Sequence, residues 1–154
     1  MSENFYKNFG SIWERFLSFE INRSREAMKY FGNANNYFIL QVIAWHNLYV
    51  IQRREKNENY ETLRRQWGNS KFEFENTIPD KLSVLTASQI SGIDKETTRR
   101  AVKSLASDKW IIYRPSNGIV YSPTETNNKL MIEFNELVEI PLFLKLAKHI
   151  KKFT

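Results

Sequence analysis

Residues 82–122 read LSVLTASQISGIDKETTRRAVKSLASDKWIIYRPSNGIVYS, and how this stretch folds decides the arrangement of the rest of the chain. Ser83, Val84 and Leu85 are predicted as a short strand. Thr86 with Gln89 three residues on has the spacing of a capping box that opens a short helix. Gly92 supplies the stop for that helix and turns the chain together with Ile93. Asp94 then caps a second helix predicted from Lys95 to about Ser107. Two helices joined by a Gly-containing turn have the spacing of a helix-turn-helix, with Ile90, Ile93, Thr98, Val102 and Leu105 expected to lock the pair together.

A helical wheel sorts the second helix into two faces. If Thr98, Val102 and Leu105 point inward, Glu96, Arg99, Arg100 and Lys103 point outward, flanked by Lys95 and Thr97. Arg can bond a guanine edge in two places, Lys can pair with a phosphate, and Thr can donate to either, so the face suits a DNA major groove. Beyond it, Trp110 to Arg114 and Ile119 to Ser122 are β-rich runs joined by Pro115, Ser116, Asn117 and Gly118, and Asn-Gly is a strong hairpin signal. This small-tipped hairpin, with Arg114 and Asn117, is expected to lie along an adjacent phosphate strand or minor groove.

The flanks are helical by periodicity. Phe5, Phe9, Ile12, Trp13, Phe16, Ile21, Met28 and Phe31 recur three or four apart, as one face of a long helix that is core or dimer interface. Gly32 and Asn33 offer a stop, and Asn35 or Asn36 a new cap. The next helix, centred on YFILQVIAWHNLYVI at 37–51, is apolar nearly all round and therefore expected to be buried on several sides. Its length of about 15 residues, broken by Gln41, His46 and Asn47, falls short of the roughly 20 a bilayer requires. After residue 122 come a cap at Thr124, a helix through Leu130, Ile132, Phe134 and Leu137, a break near Pro141, and a basic amphipathic helix. Its Leu142, Phe143, Leu146 and Ile150 are expected to dock on the first helices; membrane-surface binding is the competing reading. The expected division is 1–66 as an N-terminal helical region, 67–81 as an irregular link, 82–123 as the helix-turn-helix and hairpin, and 124–154 as a C-terminal helical region.

Composition narrows the function classes. In 154 residues, 23 Lys and Arg against 17 Asp and Glu give a formal charge of +6, which favours a polyanionic partner. The excess clusters at 52–66, 95–103 and 145–153. There is no Cys, which removes disulfides and thiolate metal sites and makes a reducing cytoplasm the natural compartment. The first sixteen residues do not read as a secretory signal. No Gly-rich phosphate loop, nucleophile with a base, or carboxylate cluster of metal spacing stands out, so the expectation is a chain that is not an enzyme and carries no cofactor or metal. His46 reads as a packed helix residue and His149 as part of a basic surface.

The stretch LTASQISGIDKETTRRAVKSLASDKWIIYR resembles the winged helix-turn-helix of bacterial transcription regulators. With long helices on either side, the whole is similar to the multiple-antibiotic-resistance regulator (MarR) family; similar modules occur in phage replication and repressor proteins. The resemblance implies a mainly α fold with a small β-hairpin wing, a winged helix-turn-helix with long N- and C-terminal helices. It further implies a homodimer formed by the terminal helices and double-stranded DNA as partner. Lys95, Thr97, Arg99, Arg100 and Lys103 match the positions that read DNA. A small-molecule effector would lie in an apolar pocket between the dimer helices and the winged helix, although no residue identifies one. A protein-interaction adaptor that uses the same module without DNA is the alternative.

Overall fold

The computed structural model describes residues 3–54 and 82–153, so most of the charged run at 52–66 and the expected link at 67–81 fall outside the described residues. Helices α1 (Glu3–Lys7), α2 (Phe9–Phe31) and α3 (Ala34–Arg54) come first. After the undescribed segment follow α4 (Val84–Ser91), α5 (Lys95–Ser107), strands β1 (Ile111–Arg114) and β2 (Gly118–Tyr121), α6 (Glu125–Phe134), a π-helical turn (Asn135–Glu139) and α7 (Ile140–Ile150). Among the described residues the fold is thus mainly helical with one two-stranded antiparallel hairpin. It divides into two compact units, Asn33–Asn128 and Met1–Gly32 with Lys129–Thr154. Among the described residues no helix is long and apolar enough to cross a membrane.

In the unit Asn33–Asn128 the core lies where α3 meets α4, α5 and β2. Asn33, rather than Asn35 or Asn36, starts α3: its Oδ1 accepts from the backbone N–H of Asn36 at 2.9 Å. That choice releases the Asn36 side chain into the core, where Nδ2 donates to Ser104 Oγ at 2.9 Å and ties α3 to α5. Around this bond Ile39, Leu40 and Ile43 of α3 and Ala101, Val102 and Leu105 of α5 are buried, whereas Phe38, Trp45 and Tyr49 of α3 are 41–53% exposed, so the helix is covered along one side rather than on the several sides its apolar composition suggests.

The start of α4 differs from the expectation. Ser83 is the N-cap, its Oγ accepting from Thr86 N–H at 3.0 Å, so the helix opens at Val84 rather than at Thr86. A Ser directly before an apolar run competes for the first free amides of a helix, and here it wins. The expected strand at 83–85 shrinks to a single bridge, Leu82 pairing with Ile119 through Ile119 N–H to Leu82 O at 2.8 Å. Gly92 ends α4 at φ +70°, with its N–H on Ser88 O. Nothing stands within 4 Å of where a Cβ would be, so the left-handed backbone rather than crowding selects glycine.

Helix α5 ends on a motif that the sequence did not announce. Trp110 N–H returns to Leu105 O at 2.9 Å and Lys109 N–H to Ala106 O at 3.1 Å, the paired bonds of a Schellman ending. The left-handed position is taken by Lys109 at φ 61° rather than by glycine. Leu105 and Trp110, the residues that such an ending brings together, are both buried. The chain then enters the hairpin, whose register pairs Ile111 with Tyr121 and Arg114 with Gly118. Asn117 N–H closes the turn on Arg114 O at 2.9 Å, and Gly118 supplies φ +86°.

In the other unit α2 and α7 run antiparallel: Ser11 meets His149 (3.2 Å), Arg23 meets Glu139 (2.6 Å) and Tyr30 meets Glu133 (3.4 Å). Pro141 does not break the helix; it sits in the first turn of α7, after the π turn. The π turn adds one residue to the helical repeat, and that decides which side chains face α2. Counting on from the buried Phe134 by ordinary steps of three and four would turn Pro141, Lys145 and Lys148 inward. One residue more brings Glu139, Leu142, Leu146 and Ile150 there instead, with Leu146 buried and Pro141, Lys145 and Lys148 exposed. Phe143, expected to dock, is 58% exposed.

The left-handed Lys109 carries a cost that glycine would not, so Lys109→Gly should raise stability by about 1 kcal/mol in urea unfolding. A loss of stability would show that the lysine side chain contributes more than its backbone conformation costs.

Candidate nucleic-acid interface

The surface of interest is the outer face of α5, and its position is set by the turn before it. The carbonyl oxygen of Ile93 accepts two hydroxyls, Ser88 Oγ from α4 at 2.6 Å and Thr98 Oγ1 from α5 at 3.3 Å. Thr98 is completely buried, and Val102 and Leu105 continue the same inward face. Asp94 caps the helix, Oδ1 accepting from Thr97 N–H at 2.9 Å. Hydrogen bonds from Thr97, through its side chain and then its backbone, hold the Asp94 carboxyl below its ordinary range. Ile90, expected to help lock the helices, is 44% exposed; the hydroxyl pair on Ile93 does that work instead.

Lys95, Thr97, Arg99, Arg100 and Lys103 all lie on α5, and none of them is buried. Lys95, Arg100 and Lys103 are exposed, while Thr97 and Arg99 are half-buried. Thr97 is occupied at the cap through both its amide and its hydroxyl. Arg114 is exposed at the end of β1, and Asn117 is half-buried in the hairpin turn. Strand β1 packs against α5, so the hairpin and the helix that carries the cationic face adjoin. The basic residues Lys145, Lys148, Lys151 and Lys152 belong to the other unit.

The wheel placed Glu96 on the same face without giving it a part. Its carboxylate receives Arg99 in two-point fashion, Nε to Oε2 at 2.9 Å and Nη2 to Oε1 at 2.7 Å. Arg100 Nε reaches Oε1 at 3.2 Å from the other side. The bond from Arg99 is the largest cause that brings the Glu96 pKa down from its ordinary 4.5 to about 2, with Arg100 adding to it against the opposing effect of partial desolvation. In return the Glu96 hydrogen bond raises the Arg99 pKa. The signal was present as Glu followed at i+3 and i+4 by Arg, the spacing at which helix side chains meet.

Among the described residues no group of three or more His, Cys, Asp or Glu is arranged to hold a metal ion. Comparison with family models, curated proteins and solved structures gives no match to this chain.

A carboxyl held below its ordinary pKa by folding contributes stability above the unfolded value and loses it as pH falls toward the folded value. The Glu96 contribution should therefore be full above about pH 4.5 and vanish toward pH 2. A carbon-detected NMR titration should give Glu96 a midpoint near 2. The Tm difference between the wild-type chain and Glu96→Gln should be small, constant near neutrality, and closed in acid. A Glu96 midpoint at 4.5 would mean that the arginines do not hold it in solution.

Proposed function

We propose that this chain is a DNA-binding transcription regulator built on a winged helix-turn-helix, with α5 entering the major groove and the β1–β2 hairpin lying on the adjacent backbone. The observation that carries this reading is the division of α5 into one face buried to the last atom of Thr98 and Val102 and an opposite face bearing Lys95, Arg99, Arg100 and Lys103. A rigid helix that projects cations from one side fits a groove lined by phosphates and base edges. The adjoining hairpin presents Arg114 and the Asn117 turn, a second point of contact suited to a neighbouring strand. A polyanionic partner accords with the formal charge of +6, and a DNA target with a cytoplasmic setting.

The regulator acts as a homodimer in this reading, and the unit formed by α2 and α7 supplies the surface. Phe9, Trp13, Leu17, Ile21 and Met28 fall within one sector of α2 and are 43–65% exposed. On the second helix Ile140, Phe143 and Leu144 are exposed as well, with Leu137 just before it. Rings stack along the stripe, Phe9 on Trp13 at 5.5 Å and Trp13 on Phe16 at 4.9 Å, which presents a preformed flat surface. Two antiparallel helices cover only the faces they turn to each other, whereas two such pairs can also cover this outer stripe, as a four-helix arrangement about a two-fold axis. Side chains of this size and exposure amount to on the order of 800 Å² per partner, what a stable dimer buries.

Binding to a random-sequence 30-bp duplex should fall about a thousandfold or more between 50 and 200 mM salt if six or more phosphates are contacted. A partner held by apolar contact, as in a protein-interaction adaptor, would barely respond to salt, and absence of duplex binding at 50 mM would overturn the DNA reading. Lys103→Ala should weaken all duplexes alike and lower the salt slope by about 0.9. Arg99→Ala or Arg100→Ala should cost roughly ten- to a hundredfold on duplexes enriched from a random library, and less on random ones.

Sedimentation at tens of micromolar should show a dimer, and Trp13→Glu should convert it to the 18.4 kDa monomer with its helical content intact. A wild-type monomer under those conditions would remove the second copy from the proposal.

A further inference from the structure

We propose that Glu96 is a specificity-determining residue, a carboxylate that restrains Arg99 and Arg100 on non-cognate duplex and yields them where a cytosine amino group replaces them as its donor. The inference rests on the DNA-binding reading and assigns a sequence class to the same surface.

The geometry supplies the competition. One carboxylate accepts three guanidinium N–H bonds, two from Arg99 and one from Arg100, at 2.7–3.2 Å. Both arginines therefore stand on α5 already satisfied by an anion of their own chain. Arg99 uses two of its five N–H groups on that anion and Arg100 one, so on turning to a DNA phosphate each guanidinium either leaves the carboxylate or carries it along, and in both cases the carboxylate faces a polyanion. The penalty is the same for every sequence as long as the groove offers Glu96 only acceptors, such as guanine O6 and N7 or thymine O4. It is relieved where the groove offers a donor, and cytosine N4 is the donor that acidic side chains take in the major groove. A guanine with a cytosine beside it or opposite it therefore answers the whole cluster: the guanine edge receives an arginine in two-point fashion and the cytosine amino group receives Glu96. The half-exposed setting of the cluster supports this exchange, since Arg99 and Glu96 side chains are 42% and 51% exposed and can repair with a ligand without rebuilding the core. Helix α5 itself is held from the opposite face, by Thr98 and by the Asn36 bond to Ser104, so the exchange leaves its position unchanged.

Glu96→Gln separates charge from shape. Fluorescence polarisation with a random-sequence 30-bp duplex at 50 mM salt should show the variant binding about fivefold tighter than wild type, with a salt slope steeper by about one phosphate contact. Duplexes enriched by the wild-type chain from a random library should contain G·C pairs at the Arg99 and Glu96 positions. On them the variant should gain nothing, so that its specific-to-random ratio falls about fivefold or more. The gain on random duplex should disappear when Arg99 and Arg100 are also replaced by Ala. Circular dichroism of each variant establishes that it is folded. If Glu96→Gln binds random duplex no tighter than wild type, or tightens equally on both duplexes, the role of Glu96 is overturned while the DNA-binding reading stands. If the wild-type chain binds no duplex at 50 mM salt, the DNA-binding reading falls and this inference with it.

Discussion

The carbonyl oxygen of Ile93 is the point at which two helices become one rigid surface. It has two lone pairs and uses both, one for a hydroxyl from the helix that precedes the turn and one for a hydroxyl from the helix that follows. A turn carbonyl buried without partners would be destabilising, and one partner from a single helix would leave the other free to pivot. With Ser88 and Thr98 both bound, α5 can take only one direction from Gly92, and Val102 and Leu105 follow Thr98 into the core. The outward direction of Arg100 and Lys103 is a consequence: they face solvent because the other side of the same cylinder is fixed.

What was legible in the sequence was local. The bounds of α5, its cap at Asp94, the Gly92 stop and the hairpin on either side of Asn117-Gly118 are each specified within a few residues, by a side chain that satisfies a nearby amide or by a backbone conformation that glycine allows. The misreadings arose where two local signals competed or where the answer lay far along the chain. Ser83 and Thr86 are both good caps three residues apart, and the spacing alone does not say that the first would prevail. Lys109 at a left-handed position could not be foreseen, because the usual sign is glycine. Helix-turn-helix spacing predicts Ile90 between the two helices, but spacing identifies which side chains share a region and not what, if anything, covers them. The same distinction explains the N-terminal stripe, where Phe9, Trp13 and Ile21 do share a sector and yet remain exposed.

Charge is subject to a similar limit. Counting cations on a wheel gives a strongly positive face, but a wheel places side chains by direction and ignores that long ones bend toward each other. Glu96 gathers both neighbouring guanidiniums, and the potential offered to a ligand is that of a partly neutralised cluster together with Lys95 and Lys103. Exposed ion pairs of this kind add little to folding, since solvent screens them and the side chains lose freedom in forming them. In the proposed DNA complex their weight lies in binding, where the pair is opened or shared.

The π turn at Asn135–Glu139 shows how a single residue of helical register can set the character of a whole surface. Shifted back by one, the chain after Phe134 would press Lys145 and Lys148 against α2 and leave Leu146 in water, an arrangement that buries charge without a partner. The actual register directs Leu146 inward and brings Glu139 to Arg23, whose Nε and Nη2 both approach its Oε1 at 2.6 Å with each side chain about three-quarters covered. The extra residue also turns Leu137, Phe143 and Leu144 outward. One structural device thus yields a lysine-free contact between the helices and an apolar outer face. Because the device is a backbone hydrogen-bond register rather than a choice of side chain on the outer face, a substitution at Phe143 or Leu144 would alter that face and leave the inner contact in place.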